Sequence, residues 1–163
     1  MRFLTDTSSK FLLENDCQLI APLVGHIQEQ MNHVGFGDET DRMQVGVALD
    51  EALANAIYHG NLEISSEIRE QDGKEFHRMA EERRTLAPYA ERRVRVEAAI
   101  SSDKAHFLIA DEGPGFDPNT LPDPTDAANL ENVTGRGILL MRTFMDSVSY
   151  SPTGTSVSMT KQQ

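Results

Sequence analysis

Tryptophan is absent, cysteine occurs once, and no apolar run approaches the length of a membrane span. Each scarcity removes a class of protein. A single thiol, Cys17, cannot close an internal disulfide, so the chain is no disulfide scaffold, and a reducing compartment suits it. With no base beside it, Cys17 reads as a small buried or half-buried hydrophobe rather than a nucleophile. Without about 18 consecutive apolar residues, and without a positively charged leader, neither a membrane span nor a signal peptide is expected. The expected location is the cytoplasm. Positive charge is also scarce: 15 Lys and Arg face 26 Asp and Glu, a net charge of -11. Nucleic acid and anionic membrane surfaces call for clustered Lys and Arg, so neither is expected as a partner. A small anion held locally by backbone amides remains compatible with this balance. The five histidines, His26, His33, His59, His77 and His106, lack metal-ligand spacing, and no structural metal is expected.

What is present suits one domain spanning residues 1–163, with 39% hydrophobic residues and room for a core. Residues 3–13 read as an edge strand or strand plus turn. Leu19, Ile20, Leu23, Val24, Ile27 and Met31 recur at helical spacing, with Pro22 near the start. "GFGDETD" interrupts that helix, and Asp38 is placed to cap a second, from about Glu39 to Tyr58, ending at Gly60. Residues 62–93 differ in kind, with 8 acidic and 7 basic residues and a thin apolar stripe at Ile64, Ile68, Phe76 and Met79. They predict a charged helical hairpin on the rim of the domain. Val94, Val96, Ala98 and Ile100 alternate as in a half-buried strand, and "AHFLIAD" returns as its antiparallel neighbour. A long Gly/Pro/Asp-rich loop follows, then the helix "RGILLMRTFMDSV", then two closing strands.

Three polar features remain. Glu51, Asn55 and His59 stand four residues apart, so they drift only about 80° around a helix and share one side. Val45, Leu49, Leu53 and Ala56 occupy the other side. The stripe is either a solvated face or one wall of a site. Asp111 ends an apolar strand face, where a carboxylate is costly unless something hydrogen-bonds it, and Gly113 and Gly115 follow. "TGRG", Thr134 to Gly137, opens a helix, where backbone N–H groups and the helix dipole favour phosphate. Taken singly, a DxGxG or GRG marks only a turn. An Asn amide oxygen can complete a hard-cation shell without adding charge, and a buried carboxylate can accept from an exocyclic amine.

In this order the motifs resemble those of the GHKL ATPases, the group of gyrase, Hsp90, histidine kinases and MutL. "EALANAIYHGN" resembles the N-box, "DEGPGF" the first glycine box and "TGRGILLM" the second. Within that group the chain is most similar to the small anti-sigma-factor serine protein kinases of the RsbW and SpoIIAB type. The resemblance covers nearly everything except residues 62–93. It implies an α+β fold, a two-layer sandwich of the Bergerat type, with a mixed, mainly antiparallel sheet and helices on one face. It implies ATP and Mg²⁺ as cofactors, with Asn55 as Mg²⁺ ligand and Glu51 as general base on an attacking hydroxyl. Asp111 would hydrogen-bond the adenine amino group, helped through water by Thr155. Gly113 and Gly115 would let the chain pass close to the nucleotide. Thr134, Gly135, Arg136 and Gly137 would meet the phosphates, and the loop from Phe116 to Thr134 would be the ATP lid. His59 is open between helix-end packing and a role in the site. The implied activity is phosphorylation of an anti-sigma-factor antagonist of the STAS type, with a sigma factor as a further partner and a homodimer as assembly. The alternative is a non-catalytic module that binds ATP and sequesters a regulatory partner.

Overall fold

The computed structural model describes residues 3–121 and 133–163. Strand β1 (Asp6–Leu13) leads through a one-turn 3₁₀ helix at Cys17–Leu19 into α1 (Ile20–Val34). Helix α2 (Glu39–Ala54) starts on a reciprocal capping box. The Asp38 carboxylate accepts from the Asp41 N–H at 2.8 Å, and the Asp41 carboxylate accepts from the Asp38 N–H at 2.9 Å. Residues Asn55–Asn61 continue α2 as a π-helix. Helices α3 (Ser66–Gln71) and α4 (Gly73–Arg83) follow, then β2 (Val94–Ser101) and β3 (Lys104–Ala110). Helix α5 (Val133–Phe144) and strands β4 (Ser147–Tyr150) and β5 (Ser156–Gln162) complete the described chain.

The sheet runs β1-β2-β3-β5-β4, and all four pairings are antiparallel. Alternation decides which face meets the helices. Val94, Val96, Ala98 and Ile100 of β2, Phe107 and Ile109 of β3, and Val157 and Met159 of β5 are buried. The residues between them, Arg95, Glu97, His106 and Ser158 among them, lie on the open face. The helices supply the other half of the core through Ile27 and Met31 of α1, Val45, Leu49 and Leu53 of α2, and Ile138 and Met141 of α5. This is a two-layer α+β sandwich, with helices packed on one face of the sheet.

In the charged segment, α3 packs on α4. Its thin apolar stripe roots it: Ile64 and Phe76 are 1% exposed, and Ile68 and Met79 pack against the core. The expectation of a buried or half-buried Cys17 is corrected: the residue is exposed. Asp16 caps the short 3₁₀ turn by accepting from the Gln18 N–H at 3.0 Å, which keeps Cys17 outside the Ile20, Leu23 and Val24 stripe of α1. Among the described residues, no helix is long and apolar enough to cross a membrane.

Candidate functional site: a cavity between the α2 helix and the β3 strand end

The polar stripe of α2 is not a solvated face. Glu51, Asn55 and His59 are all half-buried, and Asn55 and His59 line a cavity of about 470 Å³ between the helices and the sheet. That volume is within the range of small-molecule sites. The opposite side of the helix carries Val45, Leu49 and Leu53, each fully buried. The stripe is thus held in place by the packing behind it.

The π-helical stretch shapes the end of this wall. The Leu62 N–H donates to the Ile57 carbonyl at 2.9 Å, five residues back, which widens the last turn. His59 Nδ1 lies 2.6 Å from the Ile64 carbonyl. A carbonyl only accepts, so Nδ1 carries the hydrogen and Nε2 remains an acceptor. Burial holds the His59 pKa below its ordinary value, in keeping with a neutral ring.

Asp111 stands one residue beyond β3, on the face of Phe107 and Ile109, and lines the cavity. Its Oδ1 accepts from the Gly113 N–H at 2.9 Å, while Oδ2 has no partner among the described residues. Burial pushes its pKa up to about 6, against the lowering influence of the Gly113 hydrogen bond and the Arg92 charge. The carboxylate is packed against Gly60, where a Cβ would lie 2.5 Å from Asp111 Cγ. Gly113 in turn packs on the Gly60 carbonyl, closer than any side chain would permit. Gly60, read from sequence only as a helix terminator, is therefore a component of the carboxylate's seat.

A buried amide pair pins the same corner. Asn61, fully buried, donates to Asn15 Oδ1 at 2.8 Å and accepts from the Glu112 N–H at 2.7 Å. Asn15 also donates to the carbonyls of Tyr89 and Arg92, each at 3.0 Å. The end of β1, the π-helix, the approach to β2 and the end of β3 thus share one polar knot. Neither Asn15 nor Asn61 was singled out from sequence. The only signal was two polar residues at element ends, which many surface turns also show.

The second glycine box meets the N-box directly. A Cβ at Gly137 would lie 2.7 Å from Glu51 Oε2 and 3.9 Å from Asn55 Nδ2, so this glycine leaves room for the carboxylate. Burial, then the charge of Asp50, raises the Glu51 pKa, while Arg69 and Arg136 pull it down. Arg136 is exposed, and Thr134 and Gly135 lie in the first turn of α5, with the side chains of 133–135 outside the described residues. Gly115 lines the cavity with φ at 77°, its α-carbon packed against the Thr153 carbonyl. The Thr155 carbonyl accepts from the Asp111 N–H at 2.8 Å, whereas its hydroxyl lies 2.9 Å from that of Thr153. Phe116 and Tyr150 form an edge-to-face pair, 5.4 Å between centroids, on the cavity wall. Of the expected lid, residues 122–132 lie outside the described residues.

An adenine nucleotide with Mg²⁺ fits these residues. The cavity is largely apolar with a few polar groups, and among the described residues neither Asp111 Oδ2 nor the Asn55 amide has a hydrogen-bond partner. The cavity joins a helix amide, Asn55, to a strand-end carboxylate, Asp111, with the Glu51 carboxylate beside it. The profile of the histidine kinase-like ATPase domain matches residues 13–161, and the chain belongs to that family. Domains of this family bind ATP, generally with Mg²⁺. No curated protein matches the chain.

Proposed function

We propose that the protein is a regulatory Mg–ATP-dependent serine/threonine protein kinase of the anti-sigma-factor type, phosphorylating an antagonist protein in a partner-switching pathway. The observation that supports catalysis is the Glu51 carboxylate, raised in pKa by burial, which packs against Gly137 one helical turn from Asn55. A pure binder has no use for a base there.

Bound Mg–ATP supplies the transferable phosphoryl group and its charge neutralisation. Asp111 would hold the adenine amino group through Oδ2, and Asn55 would hold the metal through its amide oxygen. Arg136 and the backbone at Gly135 and Gly137 would serve the phosphates. Glu51 accepts the proton of the incoming serine hydroxyl, whose oxygen forms the new bond to the γ-phosphorus as the bond to ADP breaks. The partner is an antagonist of the STAS type, and a sigma factor docks in the alternative state of the switch. One observation favours the non-catalytic module instead: Glu51 lies beside the side chains that line the cavity rather than among them.

The test separates binding from turnover. Asn55→Ala removes a group that stabilises the ground state, so Mg–ATP affinity itself falls. Glu51→Gln keeps shape and polarity, so affinity survives while transfer of labelled γ-phosphate to a co-purified partner drops roughly 10²–10⁴-fold. Wild-type transfer rates in Glu51→Gln would mean that Glu51 is not the base, and no transfer by the wild type to any partner it binds would leave the binding module as the better reading.

A further inference from the structure

The charged segment does more than sit on the rim. Residues from Glu63 to Glu67 form part of the cavity wall, and α3 packs against α5, the helix that carries Arg136. One turn into α3, Arg69 lays its guanidinium 5.5 Å above the centroid of the Phe76 ring. Phe76 is 1% exposed and packs at a tilt against Tyr58, 4.8 Å between centroids, and His59, 6.4 Å away. The platform beneath the guanidinium is therefore rigid, and it is built on the π-helical turn that follows Asn55. Planar guanidinium groups suit such stacking and leave their N–H edges free.

Among the described residues Arg69 has the Phe76 ring contact and no salt bridge to Glu67 of its own helix. Its charge is nonetheless felt across the N-box helix, at Glu51, Tyr58 and His59 together. A guanidinium that flanks the stripe of Glu51, Asn55 and His59, with no part in the salt bridges of the described residues, is poised for an anion that arrives with the ligand. We propose that Arg69 is a phosphate-contacting residue: the 62–93 segment delivers its guanidinium to the terminal phosphate of a bound nucleoside triphosphate, on the N-box side, while Arg136 serves the α5 side. This rests on the proposed ATP site. It also assigns the segment a task in discriminating triphosphate from diphosphate, because a contact to the terminal phosphate is lost when that phosphate leaves.

The experiment measures ATP, ADP and adenosine affinity by calorimetry in the full chain, with Mg²⁺, for wild type, Arg69→Gln and Arg69→Lys. The expected result is a loss of roughly 10-fold or more in ATP affinity for Arg69→Gln, with ADP and adenosine affinities held near wild type. Arg69→Lys keeps the charge without the planar fork, and recovers part of the loss. A thermal melt of each variant registers any loss of packing on Phe76. Equal weakening toward all three ligands would make Arg69 a packing residue and overturn the proposal. So would an Arg69→Gln variant that binds ATP like the wild type while Asp111→Asn does not, an outcome that leaves the ATP site standing. A wild type that binds no ATP would instead remove the site and this inference with it.

Discussion

At the scale of the residue, Asp111 shows how a fold holds a group in a state that the unfolded chain would not. Its carboxyl ionises at about 6 rather than at the ordinary 3.8, because burial opposes the charge. The stability linked to the neutral form is therefore fully present below about pH 4 and is lost as pH rises through about 6. A ligand amine that donates to Asp111 favours the ionised carboxylate, so nucleotide binding should strengthen as pH rises through that value and release a proton near it. Calorimetry at pH 6 in buffers of different ionisation enthalpy measures that release. Phosphate groups also titrate near 6, so the decisive comparison is Asp111→Asn, in which the protein's share of the release disappears. Affinity in that variant should fall by about 1–3 kcal/mol, since its amide can turn a donor toward the adenine amine. A proton release identical in wild type and variant would exclude Asp111 as the adenine ligand. The position of Asp111 was legible because a carboxylate at the end of an apolar strand face is chemically expensive. The seat beneath it was not, because nothing in "HGN" says that Gly60 will meet Gly113 across some 50 residues of chain.

At the scale of the element, local chemistry carried most of the information. The Asp38 capping box, the apolar stripes of α1 and α2, and the alternation in β2 and β3 are short-range patterns, and each element formed where its pattern lies. The π-helical end of the N-box helix leaves no mark in the sequence, because the residue spacing of "NAIYHGN" suits an ordinary helix equally well. What widens the turn is the geometry of its exit, with Leu62 and Ile64 bonding back to Ile57 and Tyr58. The same corner depends on Asn61, whose partners lie 46 and 51 residues away in sequence and so leave no local trace. Asn61→Ala would strand the buried Asn15 Oδ1 acceptor and leave the half-buried Glu112 N–H without its partner, at a cost of about 1–3 kcal/mol. Denaturant unfolding should show that loss without a change in slope, and nucleotide affinity should fall with it because Asp111 loses its anchored neighbour. A variant as stable as the wild type would mean that the knot is not needed to hold the strand end.

At the scale of the whole molecule, the site is a seam rather than a property of either layer. The sheet layer contributes Asp111 and Gly115, the helix layer contributes Asn55, with Glu51 and Gly137 packed together beside it, and the charged segment closes one side with residues 63–67. A ligand filling that seam would join parts that otherwise touch mainly through core side chains, so binding and global stability should be linked. Nucleotide at about 100 times its dissociation constant adds about 2.7 kcal/mol to the folded state by mass action. For a domain of this size that corresponds to a rise of roughly 5–11 °C in melting temperature. Chelating Mg²⁺ should remove most of the rise with ATP, because Asn55 offers the triphosphate no charge of its own and acts through the metal. Adenosine, which engages only the Asp111 end, should give a smaller rise that chelation leaves unchanged. Melting curves of the full chain with each ligand, with and without chelator, decide the matter. A rise with ATP that is indifferent to chelation would separate Asn55 from the metal, while no rise with any adenine ligand would remove the seam as a nucleotide site.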